Sequence, residues 1–73
     1  VNFWDEKILK AFANRLQMIR KSKNFTQEAL AYQSGISLSQ IARIETGKLN
    51  PTLCTIVVIS ATLQVKASEL VDF

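Results

Sequence analysis

Two short helical patterns divided by one glycine sit at the centre of the chain. Residues 27 to 46 read QEALAYQSGISLSQIARIET. In the first pattern Leu30 is apolar, Ala31 is small, and Gly35 follows four positions later. In the second, Ile36, Ile41 and Ile44 are apolar, and the last two, three apart, share one helix face. Ser39, Gln40, Ala42 and Arg43 then turn away from that face. Two helices joined by so short a turn touch near their crossing, and Ala31 permits the close approach. Gly35 can adopt positive φ, which ends the first helix and turns the chain without steric penalty. Ser37 can cap the second helix, and Gln40 stands at the capping-box spacing. The expected unit is a helix-turn-helix, about residues 26–46, with one polar face pointing outward.

The rest of the chain extends this pattern into one all-helical domain. With 73 residues there is room for a single domain, 1–73, around a small core. An apolar fraction of 48% argues against disorder, and two glycines, one proline and little β-type alternation favour helices. Asp5 to Lys21 reads as a first helix, acidic at its start and basic at its end, which complements the macrodipole. Ile8, Phe12, Leu16 and Ile19 form its apolar stripe, with Phe3, Trp4 and Leu9 off or beyond it and available to cover the C-terminal segment or a partner chain. Phe25 can staple helix two, Thr26 to Ser34, for which Thr26 is the N-cap. Helix three runs from Ser37 to Thr46 and stops at Gly47; Lys48 to Pro51 form a loop. Thr52 caps a fourth helix that continues to about Leu63, with Leu53, Ile56, Ile59 and Leu63 facing inward. A last short helix spans about Ala67 to Val71 and returns Leu70 to the core.

Composition excludes several chemistries. One cysteine and no histidine leave no intrachain disulfide and no Cys/His zinc site, and fit a reducing cytoplasm. Cys54 lacks a histidine base and reads as a small apolar residue. Asp5 and Glu6, the only adjacent carboxylates, point to different sides of a helix. The two glycines form no phosphate loop. No catalytic residue, metal ligand or cofactor is expected. No apolar run reaches membrane-spanning length and no signal-peptide pattern is present, so no membrane partner is expected. The first residue is Val1, as in a trimmed chain or part of a longer one. Net charge is a modest +3, but six of the nine basic residues lie in residues 1–24, which suits phosphate contact beside the helix pair.

The run Thr26-Gln27-Glu28-Ala29-Leu30-Ala31, Gly35, Ile36, Ser37, Ile41, Ile44-Glu45-Thr46-Gly47-Lys48 and Asn50-Pro51-Thr52-Leu53 resembles the DNA-binding domain of the phage lambda repressor and Cro family, the Xre-type regulators. The likeness covers about residues 15 to 71. It implies a five-helix, lambda-repressor-like all-α fold. It also implies binding to double-stranded DNA as a transcriptional regulator, most simply a repressor, with helix three in the major groove.

Under that resemblance the outward residues near the start of helix three, Leu38, Ser39, Ala42 and Arg43, are the expected base readers. Arg43 can donate two hydrogen bonds to guanine O6 and N7, worth ~1–3 kcal/mol of discrimination. Leu38 offers apolar contact to a thymine methyl where relatives often carry a polar residue. Thr26, Gln27, Ser37, Gln40, Lys48 and Asn50 are the expected phosphate contacts, from helix starts and flanking loops. In the phage repressors the residue matching Gln27 contacts the DNA backbone. The resemblance also places Arg20, ending helix one, opposite Glu45, ending helix three, as a structural brace. Helix four is apolar on more faces than its relatives, and so small a chain cannot bury them all. A homodimer interface around Val57, Val58, Ala61 and the final helix is therefore expected, on a roughly palindromic site. Two alternatives stand beside this reading: an antitoxin that also neutralises a toxin protein, and an interaction module without DNA binding.

Overall fold

The structure, a computed structural model, describes residues 3–73, and of residue 3 the backbone alone. Expectations placed on Val1 and on the Phe3 side chain fall outside it. Five helices follow one another: α1 (Phe3–Ser22), α2 (Gln27–Ser34), α3 (Leu38–Glu45), α4 (Leu53–Leu63) and α5 (Ala67–Leu70). No strand is present among the described residues, so the expected all-α class holds. Helix α1 crosses α3 and α5, α2 lies against α3 and α4, and α5 closes against α4. The α2–α3 pair is thereby cradled by α1 on one side and α4 on the other.

The core follows the apolar spacing with two departures. Leu16, Leu30, Ile41, Ile44, Ile59, Leu63 and Leu70 are fully buried, and Phe12 and Ile19 complete the cluster. Phe25, Ala31, Ile36, Ile56 and Val65 pack against its edge. Ile8, expected on the α1 stripe, is instead 49% exposed. A 20-residue helix is ~30 Å long, whereas α3 and α5 are short, so the first turns of α1 overhang them. Leu53, expected on the inner stripe of α4, is 75% exposed. It is the first helical residue, and its side chain leans toward the N-terminus and past the packed surface. Ala13 and Arg20 widen the buried α1 face instead, since they stand three residues before and four residues after Leu16 and so share its side of the helix.

Helix ends are set by local chemistry. Thr26, Ser37 and Thr52 cap α2, α3 and α4, each side-chain oxygen accepting the backbone N–H three residues on. The cap geometry moves the expected helix starts at Thr26 and Ser37 one residue later. At the other ends, three helices stop through the same paired bonds. Asn24 after α1, Gly47 after α3 and Gln64 after α4 adopt positive φ of 61°, 73° and 60°. In each case the next residue's N–H closes on a carbonyl five positions back: Phe25 to Arg20, Lys48 to Arg43 and Val65 to Ser60. Helix α2 ends on Gly35 at φ 77° with one bond to the Ala31 carbonyl.

Leu16→Ala removes a fully buried side chain at a cost of ~2–5 kcal/mol, much of the stability of so small a domain. Chemical denaturation should show that loss as a lower midpoint. Gln64→Gly relieves left-handed strain and should stabilise the chain by roughly 0.5–1 kcal/mol. A melting temperature raised by a few degrees supports that assignment; a lowered one would contradict it.

Candidate nucleic-acid interface

The helix pair presents α3 as an amphipathic rod. Ile41, Ile44 and Glu45 are buried, while Leu38, Ser39, Gln40 and Arg43 are exposed. Ala42 is half-buried at the margin of the exposed face. Four-residue spacing stacks Ser39 with Arg43 and Leu38 with Ala42. The exposed surface is therefore a polar row beside an apolar one. Among the described residues the Arg43 guanidinium makes no hydrogen bond or ion pair. Its five donors are available to an external acceptor.

The residues expected to flank this face fall into two groups. Thr26, Ser37, Gln40, Lys48 and Asn50 are exposed at the start of α2, the start of α3 and the loop after it. The N–H groups of Gln27 and Glu28 open α2, where helix geometry supplies no intrahelical acceptor. Gln40 does not complete a reciprocal capping box. Its Oε1 accepts from the Ser37 hydroxyl at 3.3 Å, while its backbone N–H donates to Ser37 Oγ at 3.1 Å. Gln27 is half-buried, and its Nε2 donates to Glu45 Oε1 at 3.0 Å. That bond joins the start of α2 to the end of α3.

Behind α3 lies a buried ion pair. Arg20 Nε donates to Glu45 Oε2 at 2.6 Å and Nη2 donates to Oε1 at 3.0 Å, with side-chain exposures of 10% and 1%. Arg20 Nη1 also donates to the Phe25 carbonyl at 2.8 Å, tying in the α1–α2 turn. Two charges this deep lose much hydration, which the paired geometry and added bonds offset. No buried polar side-chain atom among the described residues lacks a partner. Gln17 Nε2 donates to the Glu45 main-chain carbonyl at 2.6 Å. The spacing of α1 places Gln17 and Arg20 one turn apart, but a half-buried glutamine carries no sequence signal of its own.

The basic run in α1 is thinner than its count suggests. Arg20 is consumed by Glu45, and Arg15 Nε donates to the Glu69 carbonyl at 2.7 Å, with Asp72 4.0 Å away. Lys21 at the end of α1 and Lys23 just after it remain exposed. On the opposite flank α4 exposes Leu53, Cys54, Val57, Val58 and Ala61, one apolar band at helical spacing. Trp4 and Phe73 line a shallow cleft with Ile8 and Ala11, bringing the start of α1 beside the C-terminal segment. No helix among the described residues is long and apolar enough to cross a membrane, and no acidic or cysteine cluster could hold a metal.

The chain is similar to known proteins in sequence and in fold. The transcriptional regulator SlrR of Bacillus subtilis is 38% identical over 58 residues, 78% of this chain, which spans 38% of that relative's length. The control protein C.BamHI of Bacillus amyloliquefaciens is 38% identical over 63 residues, 85% of this chain and 78% of the relative. The crystal structure of the restriction-modification controller protein C.AhdI from Aeromonas hydrophila superposes with a TM-score of 0.83 at 34% identity, covering 85% of this chain and 94% of that one. The helix-turn-helix family model matches residues 16–70. With its five helices, its capped helix pair and that match over most of its length, the chain belongs to the helix-turn-helix family of lambda-repressor-like, Xre-type transcriptional regulators.

Proposed function

We propose that the chain binds double-stranded DNA sequence-specifically as a homodimer, with α3 in the major groove, and represses transcription where its site overlaps a promoter. The observation that carries this reading is the exposed row of α3, with Arg43 unpaired at its outer edge and the helix anchored behind it by a buried ion pair. Arg43 and Ser39 supply hydrogen bonds to base edges, and Leu38 and Ala42 supply apolar contact to thymine methyls. Phosphates are held by the start of α2 and by Thr26, Gln27, Ser37, Gln40, Lys48 and Asn50. The Gln27 amide keeps one N–H and its oxygen beyond the Glu45 bond, so its internal and external contacts are compatible.

The exposed band of α4 supports the dimer. Val57 is 47% and Val58 39% exposed, with Ala61 one turn on. Pairing two such bands about a twofold axis removes apolar surface from water on both copies. The two α3 helices then address half-sites about one DNA turn apart, ~34 Å.

The direct test selects duplexes from a random pool and measures binding by fluorescence anisotropy across a salt series, with a scrambled duplex as control. The expected outcome is clear preference, affinity falling steeply with salt, and two chains per site. Equal, weak binding to both duplexes would overturn the reading. Arg43→Ala should reduce discrimination at one guanine by about 5- to 150-fold, equivalent to ~1–3 kcal/mol. Arg20→Ala leaves Glu45 buried without its counter-ion and should cost ~3–5 kcal/mol. Melting temperature and DNA affinity should therefore fall together, and an unchanged melting temperature would remove the brace. In sedimentation the unmodified chain should rise with concentration above its 8.2 kDa monomer mass, and Val57→Glu should hold it there. A concentration-independent monomer would exclude the α4 dimer.

A further inference from the structure

The end of α3 is secured more completely than a helix end requires. A helix leaves its last four carbonyls without intrahelical partners. In α3 these belong to Ala42, Arg43, Ile44 and Glu45. The Thr46 hydroxyl lies 3.1 Å from both the Ala42 and Arg43 oxygens, within reach to donate to either. The Lys48 N–H donates to the Arg43 oxygen at 2.9 Å and the Gly47 N–H to the Ile44 oxygen at 3.1 Å. These donors are all local. The Glu45 oxygen is beyond their reach, and its donor is Gln17 Nε2 on α1, 28 residues away in sequence, at 2.6 Å.

We infer that Gln17 is a positioning residue for base readout: it fixes α3 along its own axis, and with it the depth at which Arg43 reaches. This inference rests on the proposed DNA-binding reading. Helix carbonyls point along the axis toward the C-terminus, so a donor on the Glu45 carbonyl opposes sliding and tilting of α3. The Arg20 and Gln27 bonds meet the Glu45 side chain instead and hold α3 from the flank. Arg43 and Glu45 stand two residues apart, ~200° around the helix, so Glu45 faces α1 while Arg43 faces outward. A shift at the gripped carbonyl is therefore passed through about half a turn of rigid helix to the guanidinium. Bidentate recognition tolerates only ~0.5 Å and 10–20° of error. Gln17 reaches the inner side of α3, away from its exposed row, so it acts through Glu45 and not by touching DNA.

The test uses the full chain, the best duplex from the random-pool selection and a scrambled duplex. Gln17→Met keeps side-chain length and removes the donor; Gln17→Lys restores a donor of similar reach. Circular dichroism verifies that each variant is folded at the assay temperature. Gln17→Met should lower the ratio of selected to scrambled affinity by about tenfold, a geometric loss and not a lost contact, with scrambled-duplex affinity and salt slope unchanged. Gln17→Lys should return the ratio to within about threefold of the unmodified chain, by the same geometric reasoning. In an Arg43→Ala background, Gln17→Met should have little further effect, because the readout it aligns is already gone. A Gln17→Met ratio within twofold of the unmodified chain, or losses that simply add to those of Arg43→Ala, would overturn the inference while leaving DNA binding intact. Absence of any preference in the unmodified chain would instead remove the DNA-binding reading, and this one with it.

Discussion

The carboxylate of Glu45 is the point on which the arrangement of helices depends. Buried apolar contacts hold α1, α2 and α3 together, but such contacts are non-directional and tolerate sliding. Directional bonds remove that freedom. Arg20 reaches Glu45 from the end of α1, Gln27 from the start of α2, and Gln17 grips its carbonyl. Two helices, α1 and α2, thus meet at one residue of α3. A buried ion pair is a weak source of net stability, because desolvation offsets attraction. Its contribution here is orientation: each acceptor on Glu45 has a donor from a particular direction, and few relative placements of the helices satisfy all of them.

Much of this architecture was legible in the sequence, for identifiable reasons. Helix type and order follow from apolar spacing. The three N-caps follow from Thr26, Ser37 and Thr52, whose short oxygen-bearing side chains stand just before apolar runs. Gly35 and Gly47 marked two of the stops. The stops at Asn24 and Gln64 carried weaker signals: asparagine enters the left-handed region with modest ease, and glutamine does so only when the surrounding bonds require it. Ile8 and Leu53 have the residue type and spacing of core positions. Their exposure depends on how far neighbouring helices extend, which spacing within one helix does not contain.

The interface was legible unevenly. The outward row of α3 follows from helical geometry once Ile41 and Ile44 are placed inward. Arg20 opposite Glu45 came from family resemblance, and the structure brings the two together at 2.6 Å. The bonds of Gln27 and Gln17 to Glu45 were not foreseen, since glutamines occur on any exposed helix and reveal a partner only after the fold sets distances. Arg15 shows the converse limit. Its charge counts toward a basic segment, yet it is bonded to the α5 carbonyl of Glu69.

The repeated helix stop has a kinetic consequence. Asn24, Gly47 and Gln64 each end their helix through bonds spanning no more than six residues, so the chain learns where to turn before any distant segment arrives. Small helical domains whose contacts are mostly local fold in microseconds to milliseconds. The Arg20–Glu45 pair closes a loop of 25 residues and demands desolvation of both charges, which places it late on such a route. Closure of that pair and the orientation of the exposed row of α3 are then the same step.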